Sequence, residues 1–324
     1  MKIGALSVAR ITPIALLDAA KRVEEVEASA VAARDPGRAQ AFADEYGIPT
    51  VHRNYAELVA DRSLDAVYIA LPASLHAEWS IAALRAGKHV LCEKPFASNA
   101  TEARHMVAEA NCADRRLVEA LHWRFHPLAT RLLELADRIG PLVSGEGRFD
   151  ARIPLIDIRC IRALGGGATM DLGCYAIHWL RTVAAEEPRV VRAKAIEGPV
   201  GIDVTMDAEL RFPSGFVAVI HCSMDPQSVG PSHSASLVLE GRNGTLRIDN
   251  PIAPQNGNRV RCHLEGGEEI DETIDGATSY ECQLRSFARV VAGCEEPITG
   301  GLDSIANMTV IDAIYTAAGL GQRP

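Results

Sequence analysis

The sequence lacks the long apolar and basic segments that mark membrane-spanning and many nucleic-acid-binding proteins. No stretch reaches the ~18 uninterrupted apolar residues of a membrane-spanning helix. No basic run is interleaved with aromatic residues, and the formal net charge at pH 7 is −9. An acidic surface repels nucleic acid and anionic lipid. We therefore expect neither nucleic acid nor a membrane as a partner.

Cysteine patterns that would hold a metal are also missing. None of the 8 cysteines forms a C-x-x-C pair or recurs at the spacing of zinc ligands. Cys92 and Cys222 lie in apolar runs and are expected to be buried thiols in a reducing compartment. Residues 1–4 lack the features of a secretory signal peptide. The sequence therefore predicts no metal site and a cytoplasmic location.

The periodicity of the chain changes once, and this change predicts two domains. Residues 1–122 alternate short apolar runs with helical patterns, which is typical of an α/β, doubly wound parallel sheet. Residues 123–324 contain several β-like runs without alternating helices. They predict a second, α+β domain with a mostly antiparallel sheet. The last helix, about 303–318, is expected to be able to pack back on the first domain.

Glycine is missing from the first strand–helix turn, where a dinucleotide-binding Rossmann fold usually has three. The three positions are occupied by Ser7, Ala9 and Thr12, so G-x-G-x-x-G becomes S-x-A-x-x-T. Ala9 adds only one methyl group, which still permits fairly close approach of a phosphate to the backbone. Taken alone, this stretch fits an ordinary β–α turn as well as it fits a dinucleotide site.

The end of the second predicted strand favours a phosphorylated dinucleotide. NAD sites usually place Asp or Glu there to bind the ribose hydroxyls, whereas this chain has Arg34, followed by Asp35 and Arg38. Asp35 is interpreted as a helix cap. Arg34 and Arg38 can bind a 2′-phosphate through paired hydrogen bonds. The ordinary alternative is that both arginines are simply solvent-exposed.

The E-K-P triplet at 93–95 places a lysine directly after a buried strand. Pro95 restricts the backbone of Lys94 to extended geometry. The triplet is predicted to lie at the carboxyl edge of the sheet, where open α/β sheets bind ligands. An ammonium group there can hold a substrate oxygen or shift the pKa of a neighbouring group. A solvated loop lysine is the alternative.

Five stretches, two of which contain residues described above, give the chain a recognisable pattern. It resembles the Gfo/Idh/MocA oxidoreductases, and within them the dihydrodiol dehydrogenase and xylose dehydrogenase-like branch. The matching stretches run through the whole chain, and they lie at 31–35, 86–95, 123–127, 165–175 and 314–320. The resemblance implies an NAD(P)-binding Rossmann domain and a C-terminal domain with an open-faced sheet.

The resemblance also implies the catalytic residues. Lys94 corresponds to the E-K-P lysine beside the nicotinamide and the reacting oxygen, and Asp171 to the aspartate of the G-G-x-x-x-D motif. Many members have a histidine four residues later as acid and base, where this chain has Tyr175. The dihydrodiol dehydrogenase-like branch uses a tyrosine at that position.

The residues themselves support that assignment. Asp171 and Tyr175 are four positions apart, which predicts one shared helical face. A phenol has a pKa of about 10, and a nearby Lys94 ammonium would lower it by stabilising the phenolate. The alternative for Tyr175 is a core aromatic residue with a hydrogen-bonded hydroxyl. His178 could reach the same pocket, or be a structural histidine.

The remaining candidate site residues are interpreted by their place in the chain. Arg124 could contact substrate or cofactor, or form an interdomain ion pair, and Asp157 lies on a loop that could close over substrate. The expected cofactor-binding residues are Ser7, Ala9, Arg10, Ile11, Arg34, Arg38, Leu71, Pro72, His76, Glu93 and Lys94, and the expected substrate-binding residues are Arg124, Asp157 and His178.

These expectations describe an NADP-preferring dehydrogenase or reductase, with NAD as a second option. It would act on a hydroxyl or ketone carbon of a sugar, cyclitol or dihydrodiol. Two other functions remain open: a non-catalytic dinucleotide-binding regulator, suggested by the substituted glycines, and a glycoside-processing enzyme with tightly bound, redox-cycling NAD. An exposed apolar face on the second sheet is expected to be covered in a homodimer or homotetramer.

Overall fold

The structure, a computed structural model, describes residues 1–198, 201–225 and 233–324. The chain divides into two compact units. Unit 1 comprises Met1–Phe125 and Thr278–Ile305, and unit 2 comprises His126–Ala277 and Ala306–Pro324. The first boundary lies close to the predicted one at 122. The return of the chain to unit 1 after Ala277 was not anticipated from the sequence.

Unit 1 contains a parallel sheet of six strands in the order β3-β2-β1-β4-β5-β6. This order is that of a Rossmann sheet, with a topological switch between β1 and β4. The doubly wound α/β prediction is therefore confirmed. The strands are β1 (Lys2–Leu6), β2 (Glu27–Ala32), β3 (Thr50–His52), β4 (Ala66–Ile69), β5 (His89–Cys92) and β6 (Leu117–Glu119). Only the short edge strand β3 lacked a sequence signal.

Helix α2 of unit 1 shows how the sequence sets helix limits, with a capping side chain at its start and a glycine at its end. Asp35 accepts hydrogen bonds from the backbone N–H groups of Gly37 and Arg38, and so caps α2. Gly47 ends α2 in a left-handed conformation. The helical segments are a π-helical turn Pro13–Leu17, α1 (Asp18–Ala20), α2 (Pro36–Tyr46), α3 (Tyr55–Ala60), a 3-10 turn Ala73–Leu75, α4 (His76–Arg85), α5 (Ala100–Ala113), a 3-10 turn His122–Phe125 and α8 (Ser279–Val291).

Helix α8 belongs to unit 1 because its apolar face completes the core of the parallel sheet. Leu284 and Phe287 are fully buried. They lie in one apolar cluster with Leu16 and Val23, from the first helical segment and the loop after it. An amphipathic helix gains most of its stability by burying such a face. Amphipathicity alone does not say which sheet the helix covers, so its position had to come from the structure.

The first strand–helix turn keeps a glycine-like backbone although it has no glycine. Ser7 has φ of 99°, which lies in a backbone region that residues other than glycine avoid. Its N–H donates to the carbonyl of Ala32 at 2.9 Å, which fixes it against the end of β2. The turn thus retains the shape that the dinucleotide fingerprint normally obtains from glycine, at a cost in backbone strain.

Unit 2 contains a sheet of eight strands in the order β14-β13-β12-β11-β7-β10-β9-β8. Its strand pairs are antiparallel except for β7 with β10. The predicted mostly antiparallel α+β domain is therefore confirmed, while β13 and β14 were not foreseen. The strands are β7 (Leu142–Ala151), β8 (Arg189–Glu197), β9 (Asp203–Arg211), β10 (Val217–Ser223), β11 (His233–Gly241), β12 (Gly244–Asp249), β13 (Arg259–Leu264) and β14 (Glu269–Glu272).

Helix α7 lies on one face of this sheet, and a glycine in β7 lets it approach closely. A Cβ atom at Gly147 would lie 3.1 Å from the carbonyl oxygen of Ala176 on α7. The remaining helical segments of unit 2 are α6 (Pro127–Arg138), 3-10 turns Ile158–Cys160, Arg162–Leu164 and Pro254–Asn256, a π-helical turn Thr169–Gly173 and α7 (Cys174–Ala184). Helix α9 (Gly301–Ala317) begins in unit 1 and continues in unit 2.

The other face of the sheet carries charged side chains in cross-strand pairs. Examples are Arg192 with Glu209 at 2.9 Å and Arg259 with Asp271 at 2.5 Å. Ile196 and Val219 are exposed on the same face, so charged pairs share it with single apolar residues, and its covering in an oligomer stays a prediction. None of the helices within 1–198, 201–225 and 233–324 is long and apolar enough to cross a membrane.

Replacing Ser7 with glycine is expected to stabilise the protein. Relief of backbone strain outweighs the entropic cost of glycine, so the free energy of unfolding should rise by about 1 kcal/mol. Ser7→Val should lower it. The matched control is Ala9→Gly in the same turn, which relieves no positive φ and should cost about 0.5–1 kcal/mol. Denaturant titration measures all three, and an unchanged or lowered stability of Ser7→Gly would contradict the strain argument.

The charged face of the second sheet is expected to make stability depend on pH through His221. The carboxylates of Asp150 and Asp207 lie 3.2 and 2.7 Å from the ring nitrogens of His221 and raise its pKa, against burial and the nearby charge of Arg148. The stabilisation is thus complete below about pH 6.5 and is lost as the pH rises through the higher folded-state pKa.

His221→Asn should cost about 1 kcal/mol below that pH and progressively less above it. The control is His263→Asn, at a more exposed ion pair of the same face, with an expected effect under about 0.5 kcal/mol. Denaturant midpoints measured across pH 5–9 give the difference in stability between His221→Asn and wild type. A difference that grows with pH would contradict the prediction.

Candidate functional site

The expected cofactor-binding residues all lie at one edge of the parallel sheet of unit 1. Because parallel strands end at the same edge, the segments that follow them converge there. These segments are 7–12 after β1, 33–38 after β2, 70–76 after β4 and 93–95 after β5. Together they contain Ser7, Ala9, Arg10, Ile11, Arg34, Arg38, Leu71, Pro72, His76, Glu93 and Lys94.

Tyr55 joins Arg34 and Arg38 at the end of β2, and sequence reasoning missed it. The main chain of Arg34 and the charges of Arg34 and Arg38 all act on the Tyr55 hydroxyl and favour its ionised form. Burial raises the pKa of Tyr55. Its ring meets Trp79 edge-on, with centroids 5.2 Å apart. An aromatic ring next to two guanidinium groups suits an adenosine carrying a phosphate, and the only sequence signal was an aromatic residue opening α3.

Glu93 braces the E-K-P turn from inside the sheet. It is 8% exposed, and its carboxylate accepts the Tyr68 hydroxyl at 2.6 Å and the backbone N–H of Lys94 at 3.3 Å. Tyr68 is a fully buried residue of β4. The orientation of Lys94 is thus tied to two adjacent strands through one buried carboxylate.

His76 connects the same turn to the end of β4. Its Nε2 lies 2.8 Å from the carbonyl oxygen of Leu71 and its Nδ1 lies 2.9 Å from that of Pro95. Burial lowers the pKa of His76, with the Lys94 charge acting in the same direction. A direct role of His76 in cofactor binding stays a prediction, and its geometry favours support of the two loops that flank the site.

A second buried histidine lies close to Lys94 and was also missed. His122 is 4% exposed, its Nδ1 lies 2.8 Å from Ser279 Oγ, and its ring stacks on Tyr280 at 4.1 Å. Burial, together with the charge of Lys94, lowers the pKa of His122 to about 3. His122 is therefore neutral at physiological pH and does not compete with Lys94 as a cation.

Arg124 lies in the 3-10 turn that follows β6, within unit 1. Burial lowers its pKa, and the charge of Asp303 opposes that shift. Both residues belong to unit 1, so this electrostatic partner does not make the predicted interdomain ion pair. Its role in substrate binding stays a prediction.

The glycine segment 165–167 of unit 2 is held by a set of hydrogen bonds. The backbone N–H groups of Gly166 and Gly167 donate to the carbonyls of Ile161 and Arg159, at 3.0 and 2.9 Å. A Cβ at Gly166 would lie 2.4 Å from the Arg159 carbonyl oxygen, so glycine is required there. The close approach of neighbouring backbone atoms is therefore what requires glycine in this segment.

The segment leads directly into the helix that carries two of the predicted catalytic residues. Asp171 lies in the π-helical turn Thr169–Gly173, and Tyr175 lies in the first turn of α7. Hydrogen bonds of a π-helix join residues five apart, and such turns are frequent at functional sites. Asp171 and Tyr175, predicted to share one helical face, thus lie one turn apart across the junction of the wider turn with α7.

Asp171 and Asp157 are joined through one guanidinium group. Arg159 lies 3.0 Å from Asp157 Oδ1 and 3.4 Å from Asp171 Oδ2. The Asp157 side chain is 8% exposed and that of Asp171 is 14% exposed. These three residues, the acid–arginine cluster, place two carboxylates and a cation where polar hydroxyl groups could bind.

Tyr175 and His178 are both buried on α7. Tyr175 is 2% exposed and lies among aromatic rings, with Phe149 at 5.9 Å and Trp179 at 6.4 Å. His178 is 1% exposed. Both the catalytic assignment of Tyr175 and the substrate-binding role of His178 stay predictions. Within the described residues, no group of three His, Cys, Asp or Glu side chains could hold a metal ion.

Comparison with known proteins places both halves of the chain in one family. Residues 5–121 match the family model described as "Oxidoreductase family, NAD-binding Rossmann fold" of the Gfo/Idh/MocA group. Residues 128–247 match the C-terminal domain of the same group. The two matches follow each other along the chain, so the resemblance inferred from the motifs is confirmed.

Relatives support this over the length of the chain. A D-xylose 1-dehydrogenase (NADP(+)) from Haloferax volcanii is 37% identical, over 99% of this chain and 98% of the relative. A trans-1,2-dihydrobenzene-1,2-diol dehydrogenase from Sus scrofa is 33% identical, over 70% of this chain and 67% of the relative. A 3-ketoreductase from Actinomadura kijaniata, solved with NADP and TDP-benzene, has a TM-score of 0.89 at 26% identity, covering 98% of this chain and 97% of that one. The chain belongs to the Gfo/Idh/MocA family of oxidoreductases.

Proposed function

We propose that this protein is an NADP-dependent dehydrogenase or reductase that acts on a hydroxyl or ketone carbon of a sugar. Cyclitols and dihydrodiols are the related substrate classes, and D-xylose is the first substrate to test because of the full-length relative named for it. The observation that carries the proposal is a buried phenol, Tyr175, on a helix whose preceding turn holds Asp171 in a cluster with Arg159.

The residues at the edge of the parallel sheet suit NADP. Arg34 and Arg38 follow β2, where an NAD site would have an acidic residue, and the charges of both act on Tyr55. Ser7 keeps the backbone of the phosphate turn in a glycine-like conformation. A named xylose dehydrogenase relative uses NADP(+), and a solved structural relative holds NADP, which supports the same preference.

Proton handling is assigned to Lys94 and Tyr175. The bound nicotinamide cofactor supplies or accepts the hydride. In oxidation, Tyr175 takes the proton of the substrate hydroxyl. In reduction, Tyr175 donates a proton to the oxygen of the ketone. A buried phenol ionises only with help from a cation, which is the role proposed for Lys94. Because nearby His122 is neutral, it adds no positive charge beside the Lys94 ammonium.

The acid–arginine cluster is proposed to bind the polyhydroxylated substrate. Each carboxylate can accept hydrogen bonds from sugar hydroxyls while Arg159 compensates the charge of both. Arg124 and His178 are retained as further substrate contacts. A cytoplasmic homodimer or homotetramer completes the proposal, and light scattering of the purified protein measures the number of subunits.

Replacing Tyr175 or Lys94 is expected to remove most of the activity. Tyr175→Phe and Lys94→Ala should each lower kcat with D-xylose and NADP+ by about 10²- to 10⁴-fold, because each removes a proton-handling group. The double variant should be little worse than either single variant if the two residues act as a unit. Steady-state kinetics measure all three.

Surface residues of the same types provide the controls. Lys21→Ala removes an exposed lysine paired with Asp18, and Tyr46→Phe removes a hydroxyl at the partly exposed end of α2. Both should keep wild-type kcat. Full turnover by Lys94→Ala with the true substrate would refute the proposed mechanism.

Cofactor preference is expected to depend on the arginines after β2. Arg34→Ala should weaken binding of NADP+ by about 10- to 100-fold, the value of a charge-assisted hydrogen bond, and leave NAD+ binding nearly unchanged. Arg62→Ala, an exposed arginine elsewhere in unit 1, is the control. Fluorescence titration of both nucleotides measures the ratio, and a strong wild-type preference for NADH would exclude the NADP assignment.

A further inference from the structure

The glycine segment of unit 2 rests on a buried ionic cluster that no predicted site residue belongs to. Asp203, at the start of β9, and Arg323, in the segment after α9, are both fully buried as side chains. Arg323 Nη2 donates to Asp203 Oδ1 at 2.5 Å, and Tyr315 of α9 donates its hydroxyl to the same oxygen at 3.0 Å. The Arg323 guanidinium also lies 3.9 Å from the centre of the Tyr315 ring.

This ionic cluster, Asp203–Arg323–Tyr315, touches the glycine segment directly. Arg323 Nε donates to the carbonyl oxygen of Gly166 at 3.0 Å. A Cβ at Gly167, which has φ of 134°, would lie 2.1 Å from Asp203 Oδ1 and 2.8 Å from Arg323 Nη2. The third glycine is therefore required both by its backbone conformation and by the space that the ionic cluster occupies.

The ionic cluster also holds the turn that follows. Asp203 Oδ2 accepts the backbone N–H of Thr169 at 2.7 Å and its hydroxyl at 2.6 Å. Thr169 is the first residue of the π-helical turn that contains Asp171, and Asp171 N–H donates to the Gly167 carbonyl at 3.0 Å. One carboxylate thus connects the guanidinium of Arg323 to the backbone that carries Asp171.

We propose that Arg323 and Asp203 are positioning residues for the proposed Asp171 and Tyr175 site, acting through the glycine segment and the π-helical turn. The inference rests on the proposed function of that site. Arg323 ties Gly166, and Asp203 ties Thr169, so this salt bridge sets the geometry of Asp171 and of Tyr175 through the backbone. A displacement of about 1 Å at such a site can cost about 10²-fold in rate.

Arg323→Met tests the inference by removing the guanidinium while keeping an apolar side chain of similar length. We expect kcat with D-xylose and NADP+ to fall about 10- to 100-fold, with the KM for NADP+ within twofold of wild type, because the nucleotide residues lie in unit 1. Arg323→Lys keeps the charge but not both hydrogen bonds, and should recover part of the loss.

A second readout needs no turnover and therefore separates this inference from the proposed function. In Arg323→Met, hydrogen exchange should rise in a peptide covering 163–173 and stay at the wild-type level in peptides of β10 and β12. The double variant Arg323→Met/Asp203→Asn removes both charges, so no buried charge is left unpaired. Its free energy of unfolding should fall by less than the sum of the decreases in the two single variants.

The matched control is Arg148→Met, which removes an arginine bonded at 2.6 Å to the nearly buried Asp150 of the same unit. It should change neither kcat nor exchange at 163–173. Failure of Tyr175→Phe to lower kcat would remove the proposed proton role but leave the exchange result standing. Wild-type exchange at 163–173 together with wild-type kcat in Arg323→Met would overturn the inference, and so would a uniform rise in exchange across unit 2.

Discussion

The carboxylate of Asp203 is the group on which the glycine segment of unit 2 and the helical turn after it depend. A fully buried carboxylate is stable only when donors surround it, and here the donors come from Thr169, Tyr315 and Arg323. These residues belong to three separate stretches of the chain. Satisfying one buried charge therefore fixes the path of the glycine segment and the first turn of the helix that carries Tyr175.

Two turns of the protein have backbone conformations that favour glycine, but only one of them contains glycine. At the first turn glycine is absent, yet Ser7 adopts φ of 99° because its N–H is held by the end of β2. At the second turn the glycines are required, since a Cβ at Gly166 or Gly167 would overlap neighbouring atoms. Both turns continue into a π-helical turn, Pro13–Leu17 in one case and Thr169–Gly173 in the other. Wider helical turns of this kind recur at functional sites, which agrees with the placement of the two halves of the proposed chemistry.

Lys94 depends on its surroundings in the same manner as Asp171. Glu93, the least explained residue of the E-K-P triplet in the sequence, fixes the backbone of Lys94 through Tyr68 of the neighbouring strand. His76 holds the far side of the turn, and buried His122 stays neutral beside it. The backbone of Lys94 is thus held in place without a ligand, and under the proposed mechanism this reduces the entropy lost when a substrate binds.

The sequence by itself determined the Rossmann sheet, the Asp35 cap of α2, and the edge at which the expected cofactor residues gather. These features follow from local rules: strand–helix alternation, caps such as Asp35 and Gly47, and the common edge of parallel strands. It also supplied the motifs that identify the family. Only the tertiary structure decided that α8 completes the first core, that charged pairs share the open sheet face with single apolar residues, and that Arg323 and Asp203 hold the glycine segment. The contacts of Arg323 join residues more than a hundred positions apart, and periodicity describes only which face of an element is apolar, not which partner it meets.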